Sequence, residues 1–226
     1  MISFKNVTKI YPPNTVVLDN ISFEIKTGEF VSIVGKSGAG KTTLIRLLLG
    51  LEEPTSGEIT FRESNVLHTK RQQLQELRQK MGVVYQDYKL LTNKTVHENI
   101  AYVMAVIGEE DEKIDREVRE ILEITGLSEK ANNFPNELSG GEQQRLAVAR
   151  AIVNQPDVVI ADEPTGNLDP YNSYEVVALL KKIHDNGNTV ILATHDKEII
   201  NKLGERVITL DDGRIIRDDL EGKFIL

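Results

Sequence analysis

Gly35-Lys-Ser-Gly-Ala-Gly-Lys-Thr42 places four residues between Gly35 and Gly40 and follows them with a lysine and a threonine. In such a loop the backbone N–H groups of Gly35, Lys36, Ser37, Gly38, Ala39 and Gly40 can wrap phosphate oxygens, because glycine lets the chain approach closely. Lys41 can then reach the β and γ phosphates of a nucleotide, and Thr42 can offer its hydroxyl to magnesium. A glycine-rich turn with an accidental lysine is the plainer alternative. The apolar stretch Phe30–Val34 before the loop and the helix-like Thr43–Leu49 after it argue against that alternative. Gly38-Ala-Gly40 falls short of the G-x-G-x-x-G spacing of a dinucleotide site.

Val158-Val-Ile-Ala-Asp-Glu163 is an apolar strand pattern that delivers two adjacent carboxylates at its C-terminal end. Asp162 suits a magnesium shell, and Glu163 suits a general base for an attacking water. Alone, such a strand end is also a common surface turn, and the phosphate loop is what favours the chemical reading. His195 follows the apolar run Thr189–Thr194, at the carboxyl end of a strand, where ligands of parallel sheets gather. There it could contact a γ-phosphate, whereas His68, His97 and His184 are expected to be structural. Ser139-Gly-Gly-Glu142 reads as a capping box that opens a helix, with Gly140 and Gly141 baring its N-terminus as a second anion cradle.

These groups need a scaffold. Phe30–Val34, Val158–Ala161 and Val190–Ala193 are short, continuous apolar runs, the pattern of strands buried on both faces of a parallel sheet. Ile2, Phe4 and Val7, then Val16–Leu18, Ile21-Phe23-Ile25 and Gly57–Phe61, alternate as an antiparallel layer would. Between about Gln86 and Arg150 the period becomes helical. Thr95 and Glu98 form a capping box ahead of a face of Ile100, Val103, Met104 and Ile107, and Ile114–Ile124 keeps the same period. The acidic run Glu109–Glu112 reads as a solvated face.

A formal net charge of −8 argues against a broad electrostatic grip on nucleic acid. With no cysteine, a disulfide framework, a thiol nucleophile and a Cys-ligated zinc site are all excluded. No run approaches the roughly 18 apolar residues of a spanning helix, so membrane association is expected through a partner and not by direct insertion.

Over essentially its whole length the sequence resembles an ABC-type nucleotide-binding domain. The motifs that carry the likeness are the Walker A loop Gly35–Thr42, Gln86 of the Q-loop, the signature Leu138–Glu142, the Walker B pair Asp162-Glu163, the D-loop Asn167–Pro170 and the switch His195. The resemblance implies an α/β fold, a P-loop NTPase with a parallel-sheet core, an antiparallel β layer and an inserted helical lobe. It implies one domain, 1–226, with the lobe at about 87–153 inserted in a RecA-like core. It further implies a Mg-dependent ATPase that uses ATP and Mg2+.

By the same resemblance, nucleotide is held by Tyr11, residues Gly35 to Thr43 and Gln86, and magnesium by Thr42, Gln86 and Asp162. Glu163 and His195 would act in catalysis. Ser139, Gly140, Gly141 and Glu142 would close in trans on the nucleotide of a second copy, so a homodimer is expected. Pro12-Pro13 after Tyr11 departs from the small residues usual there.

Arg78–Asp87, Leu90-Leu91, Thr95–Asn99, Arg150–Asn154 and Gly213–Arg217 look like the FtsE-like subfamily, with Thr92 standing where proline is common. That likeness implies an FtsX-like integral membrane partner, a place at the cytoplasmic face of the cell membrane, and control of peptidoglycan hydrolases in division. The alternative is an exporter or lipoprotein-release ATPase. Asp87 to Thr95, led by Tyr88, Leu90 and Leu91, is the expected docking segment for the membrane partner.

Overall fold

The computed structural model describes residues 1–67, 69 and 71–222. The expectation for His68, and the end of the 1–226 assignment, lie outside the described residues. In chain order the strands and helices are β1 (Ile2–Tyr11), β2 (Thr15–Ile25), β3 (Phe30–Val34), α1 (Lys41–Leu48), β4 (Ser56–Phe61) and β5 (Ser64–Asn65). Next come α2 (Arg71–Gln79), β6 (Met81–Tyr85), α3 (Val96–Val106), α4 (Asp111–Ile124), α5 (Gly140–Ile152) and β7 (Val158–Asp162). The chain continues through α6 (Pro170–Asp185), β8 (Thr189–Thr194), α7 (Lys197–Leu203), β9 (Arg206–Asp211) and β10 (Arg214–Asp219).

Two sheets form. The larger runs β10-β9-β3-β8-β7-β6, parallel from β9 through β6 with β10 antiparallel at its edge. Every residue of β3, β7 and β8 is buried, as expected when both faces of a parallel sheet are covered. The smaller sheet, β2-β1-β4-β5, is antiparallel throughout, and its inward Phe4 and Phe23 stack with ring centroids 4.7 Å apart.

These layers bury two apolar clusters. One joins α1 and the small sheet to one face of β3, β7, β8 and β9, through residues such as Phe4, Ile33, Leu44, Ile160 and Ile208. The other joins the opposite face to α3, α4, α5 and α6, through Val34, Ile100, Val118, Leu146 and Val176. β6 and β7 are neighbouring parallel strands, and α3, α4 and α5 lie in the connection between them. Among the described residues, no helix is long and apolar enough to cross a membrane.

Thr95 caps α3 with the capping box read from sequence. Ile100 and Met104 are buried, whereas Val103 and Ile107 are half-buried and line a groove with Tyr85, Tyr88 and Arg150. In the acidic run, Glu110, Asp111 and Glu112 are exposed, and Glu109 pairs with Lys113 at 2.7 Å across one helical turn. His97 lies 3.9 Å from Asp115, and His184 packs edge-on against Phe30, with 5.6 Å between ring centroids.

Candidate active site

The turn from β3 into α1 is built by its glycines. Gly38 and Gly40 have φ of 83° and 104°, the left-handed region that favours glycine. A Cβ on Gly35 would stand 2.4 Å from the Leu210 carbonyl of β9, so the loop can leave the sheet only with glycine there. Lys41 opens α1 nearly buried at 6% exposure, and its Nζ donates to the carbonyls of Gly35 at 2.7 Å and Lys36 at 3.2 Å. The lysine therefore points back over its own loop.

Strand β7 ends on Asp162, 8% exposed, whose Oδ1 accepts from Thr42 Oγ1 at 3.2 Å. Burial pushes the Asp162 carboxyl above its usual range, partly offset by the Thr42 hydrogen bond, while the Glu163 charge beside it pushes the same way as burial. The strand buries that charge and the neighbouring elements bring it a partner from 120 residues away.

Glu163 follows at φ 49°, left-handed without glycine's freedom and costing on the order of 1 kcal/mol. Its N–H donates to Ala193 O at 2.8 Å, and its own carbonyl accepts from Gly166 N–H at 3.1 Å. That posture places Oε1 3.2 Å from Lys41 Nζ and Oε2 2.9 Å from His195 Nδ1. His195 is exposed at the end of β8, and Asp196 caps α7 directly behind it by accepting from Glu198 and Ile199 N–H.

A cleft of about 510 Å³ gathers Ser37, Gly38, Gly40, Lys41, Thr42, Thr43, Gln86, Glu163 and His195. Val17 of β2 also lines it and has no sequence signal beyond strand alternation. Lys36 and Ala39 belong to the loop but not to the cleft lining; the Lys36 ammonium reaches Asp211 at 4.0 Å.

Gln86 is exposed just beyond β6. Its carbonyl accepts from Asn167 Nδ2 at 3.1 Å, and its amide lies so close to Gly166 that a Cβ there would stand 2.6 Å from Nε2. Tyr11 stands apart from the lining. Its hydroxyl donates to Glu52, and Lys9 sits 4.8 Å from its ring centroid. Glu52, which also holds Arg46 at 2.8 Å and Lys9 at 3.4 Å, is a residue that no motif pointed to.

Ser139, Gly140, Gly141 and Glu142 do not line this cleft. Ser139 caps α5 and Glu142 Oε2 accepts the Ser139 N–H at 2.8 Å, which holds the Glu142 carboxyl below its usual range. A Cβ on Gly141 would lie 1.9 Å from Asn172 Oδ1 of α6, so any larger residue would have to displace that side chain.

Among the described residues, no group of three or more His, Cys, Asp or Glu could hold a metal by itself. A nearly buried carboxylate with a threonine hydroxyl beside it nevertheless suits a hard divalent cation that takes its remaining ligands from phosphate.

Comparison with known proteins agrees with this geometry. The family described as "ABC transporter" matches residues 18–166. The cell division ATP-binding protein FtsE of Bacillus subtilis (strain 168) is 49% identical over 224 residues, covering 99% of this chain and 98% of the relative. The protein of that name from Streptococcus pneumoniae serotype 2 is 50% identical over 224 residues, covering 99% and 97%. A solved dimeric post-hydrolysis state of the ATP-binding cassette MJ0796, bound to ADP and Pi, superposes with a TM-score of 0.88 at 36% identity, covering 99% of this chain and all of that one.

Proposed function

The chain belongs to the ABC transporter family of ATP-hydrolysing cassettes, and from that membership we propose that it is the ATPase subunit of an FtsE/FtsX-like complex. It would work as a homodimer at the cytoplasmic face of the cell membrane, driving a membrane partner that regulates peptidoglycan hydrolases in division. The export and lipoprotein-release alternative is not favoured, because relatives at about half identity over nearly the full chain carry the cell-division name.

One observation carries the catalytic reading: Glu163 is held between His195 and Lys41 at the mouth of the phosphate loop. A γ-phosphate in the cleft would give Lys41 an anionic partner and free Oε1 to accept a proton from the attacking water. Water oxygen bonds to the γ-phosphorus, the bond to the β-phosphate oxygen breaks, and ADP and phosphate leave. His195 would orient Glu163 through Nδ1 and face the γ-phosphate.

Thr42, Asp162 and Gln86 fit magnesium, which when bound would neutralise charge on the β and γ phosphates. Tyr11, steadied by Glu52, would stack on the adenine. Ser139 to Glu142, outside the cleft, would complete the site of the opposite protomer.

The biological half is tested in cells that carry Glu163→Gln in place of the wild-type chain. They should assemble the complex yet divide or separate poorly, with normal lipoprotein sorting and unchanged drug sensitivity. Mislocalised lipoproteins or drug hypersensitivity with normal division would overturn the division role and leave the ATPase standing.

A further inference from the structure

Arg150 lies in the last turn of α5, and its Nη1 donates to the Lys89 carbonyl at 2.6 Å. Its Nε is buried with no hydrogen-bond partner. Keeping that one donor of a half-buried guanidinium out of water unpaired is unfavourable in itself, and the bond to Lys89 offsets part of that cost.

What it holds is strained. Tyr88 and Lys89 are consecutive non-glycine residues at φ 58° and 51°, a left-handed pair that persists only where the surroundings over-determine it. Their own N–H groups make only local bonds, to Tyr85 O at 3.3 Å and Asp87 O at 2.5 Å. Tyr88 packs on the apolar cluster that contains α5, and its hydroxyl would lie 3.5 Å from a Cβ on Gly140. The two-residue turn therefore touches the first and last turns of one helix, at positions whose backbones are about 15 Å apart.

We propose that Arg150 is a positioning residue: it fastens the Tyr88–Lys89 turn to α5 and so sets Gln86, two residues upstream of Tyr88, against the helix that begins with Gly140 and Gly141. This rests on the role of Gln86 at the nucleotide proposed above. Because Arg150 and Gly140 share one rigid helix and Tyr88 stands beside Gly140, a shift of Gln86 is passed to Ser139–Glu142 through the turn.

Arg150→Met keeps the apolar stem and removes every donor. In the full chain, kcat for ATP should fall about tenfold with KM within about twofold, and amide exchange across residues 86–90 should quicken about tenfold while the exchange of β3 and β7 stays unchanged. Lys89→Gly added to that variant should return kcat to within about threefold of wild type, since glycine adopts the left-handed conformation without needing an anchor. A side chain that merely packs would not be rescued by a glycine at another residue. Unchanged kcat in Arg150→Met, or a loss that Lys89→Gly does not restore, overturns the proposal.

If Arg150→Met fails to fold, Arg150→Lys, which loses the planar fork but keeps the charge, must show a smaller loss with the same rescue. Gln86→Ala measured in parallel separates the two ideas. A normal kcat there sinks the role of Gln86, whereas a lowered kcat there with a normal kcat in Arg150→Met sinks that of Arg150.

Discussion

Glu163 shows what a single side chain contributes at this site. Its left-handed φ turns the carboxylate back to bridge Lys41 and His195, so the backbone stores strain at the residue proposed as the base. Glu163→Gln keeps the shape and the hydrogen bonds to within one atom but removes the proton acceptor. Turnover should drop by about 10²–10⁴ while ATP still binds, as measured by steady-state hydrolysis and nucleotide titration. Wild-type turnover would refute the role. Lys41→Ala should instead weaken nucleotide binding itself, because it removes the ammonium that leans over the loop carbonyls and would neutralise phosphate charge there.

At the scale of elements, the segment between β6 and α3 depends on one buried amide. Asn99, with no exposed surface, accepts from Leu91 N–H at 2.9 Å and donates to the carbonyls of Leu91, Lys94 and Thr95 at 2.9–3.0 Å. Asn99→Ala should cost about 2–3 kcal/mol through unsatisfied backbone groups and lower Tm by roughly 5–10 °C in a thermal melt. A Tm within a degree of wild type would mean that water replaces the amide at no cost.

That amide fixes the backbone of Leu91, while the side chain of Leu91 is only half-buried and Leu90 packs on the core cluster. The pair thus divides its labour: Leu90 supports the core cluster, and half-buried Leu91 is the residue proposed to meet the membrane partner. Leu91→Arg should leave a folded ATPase with normal Tm that no longer co-purifies with its membrane partner. Retained co-purification would move the docking site elsewhere.

For the whole molecule, the second glycine cradle lies off the nucleotide cleft of its own chain. On the proposed reading, a complete site needs two copies. Glu163→Gln should run as a dimer on size exclusion with Mg-ATP and as a monomer without nucleotide. Mixing Lys41→Ala with a Ser139 variant should recover part of the activity that each lacks alone, because one of the two mixed sites draws both intact elements. A monomer at high protein concentration with ATP bound, together with no recovery on mixing, would refute the composite site.

The sequence alone determined the chemistry and the layers that carry it. Phosphate loops, capping boxes and fully buried strands are local patterns, and Gly35–Thr42, Ser139–Glu142 and Val158–Glu163 show them because a few consecutive residues make each feature. α6 carries a local signature of the same kind, Asp169 as its cap and Pro170 at its first position, although those residues were singled out only as the D-loop. β6 was not legible in this way, since the short run Met81–Tyr85 contains a glycine that only its neighbour explains: a Cβ on Gly82 would meet the Ala151 carbonyl at 2.2 Å.

What needed tertiary structure was every relation between distant segments. Glu52 on Tyr11, Asn172 on Gly141, Asn167 on Gln86 and Arg150 on Lys89 join residues that share no pattern. Their chemistry is ordinary in isolation, and only the packing of α1, α5 and α6 around one parallel sheet brings them within bonding distance.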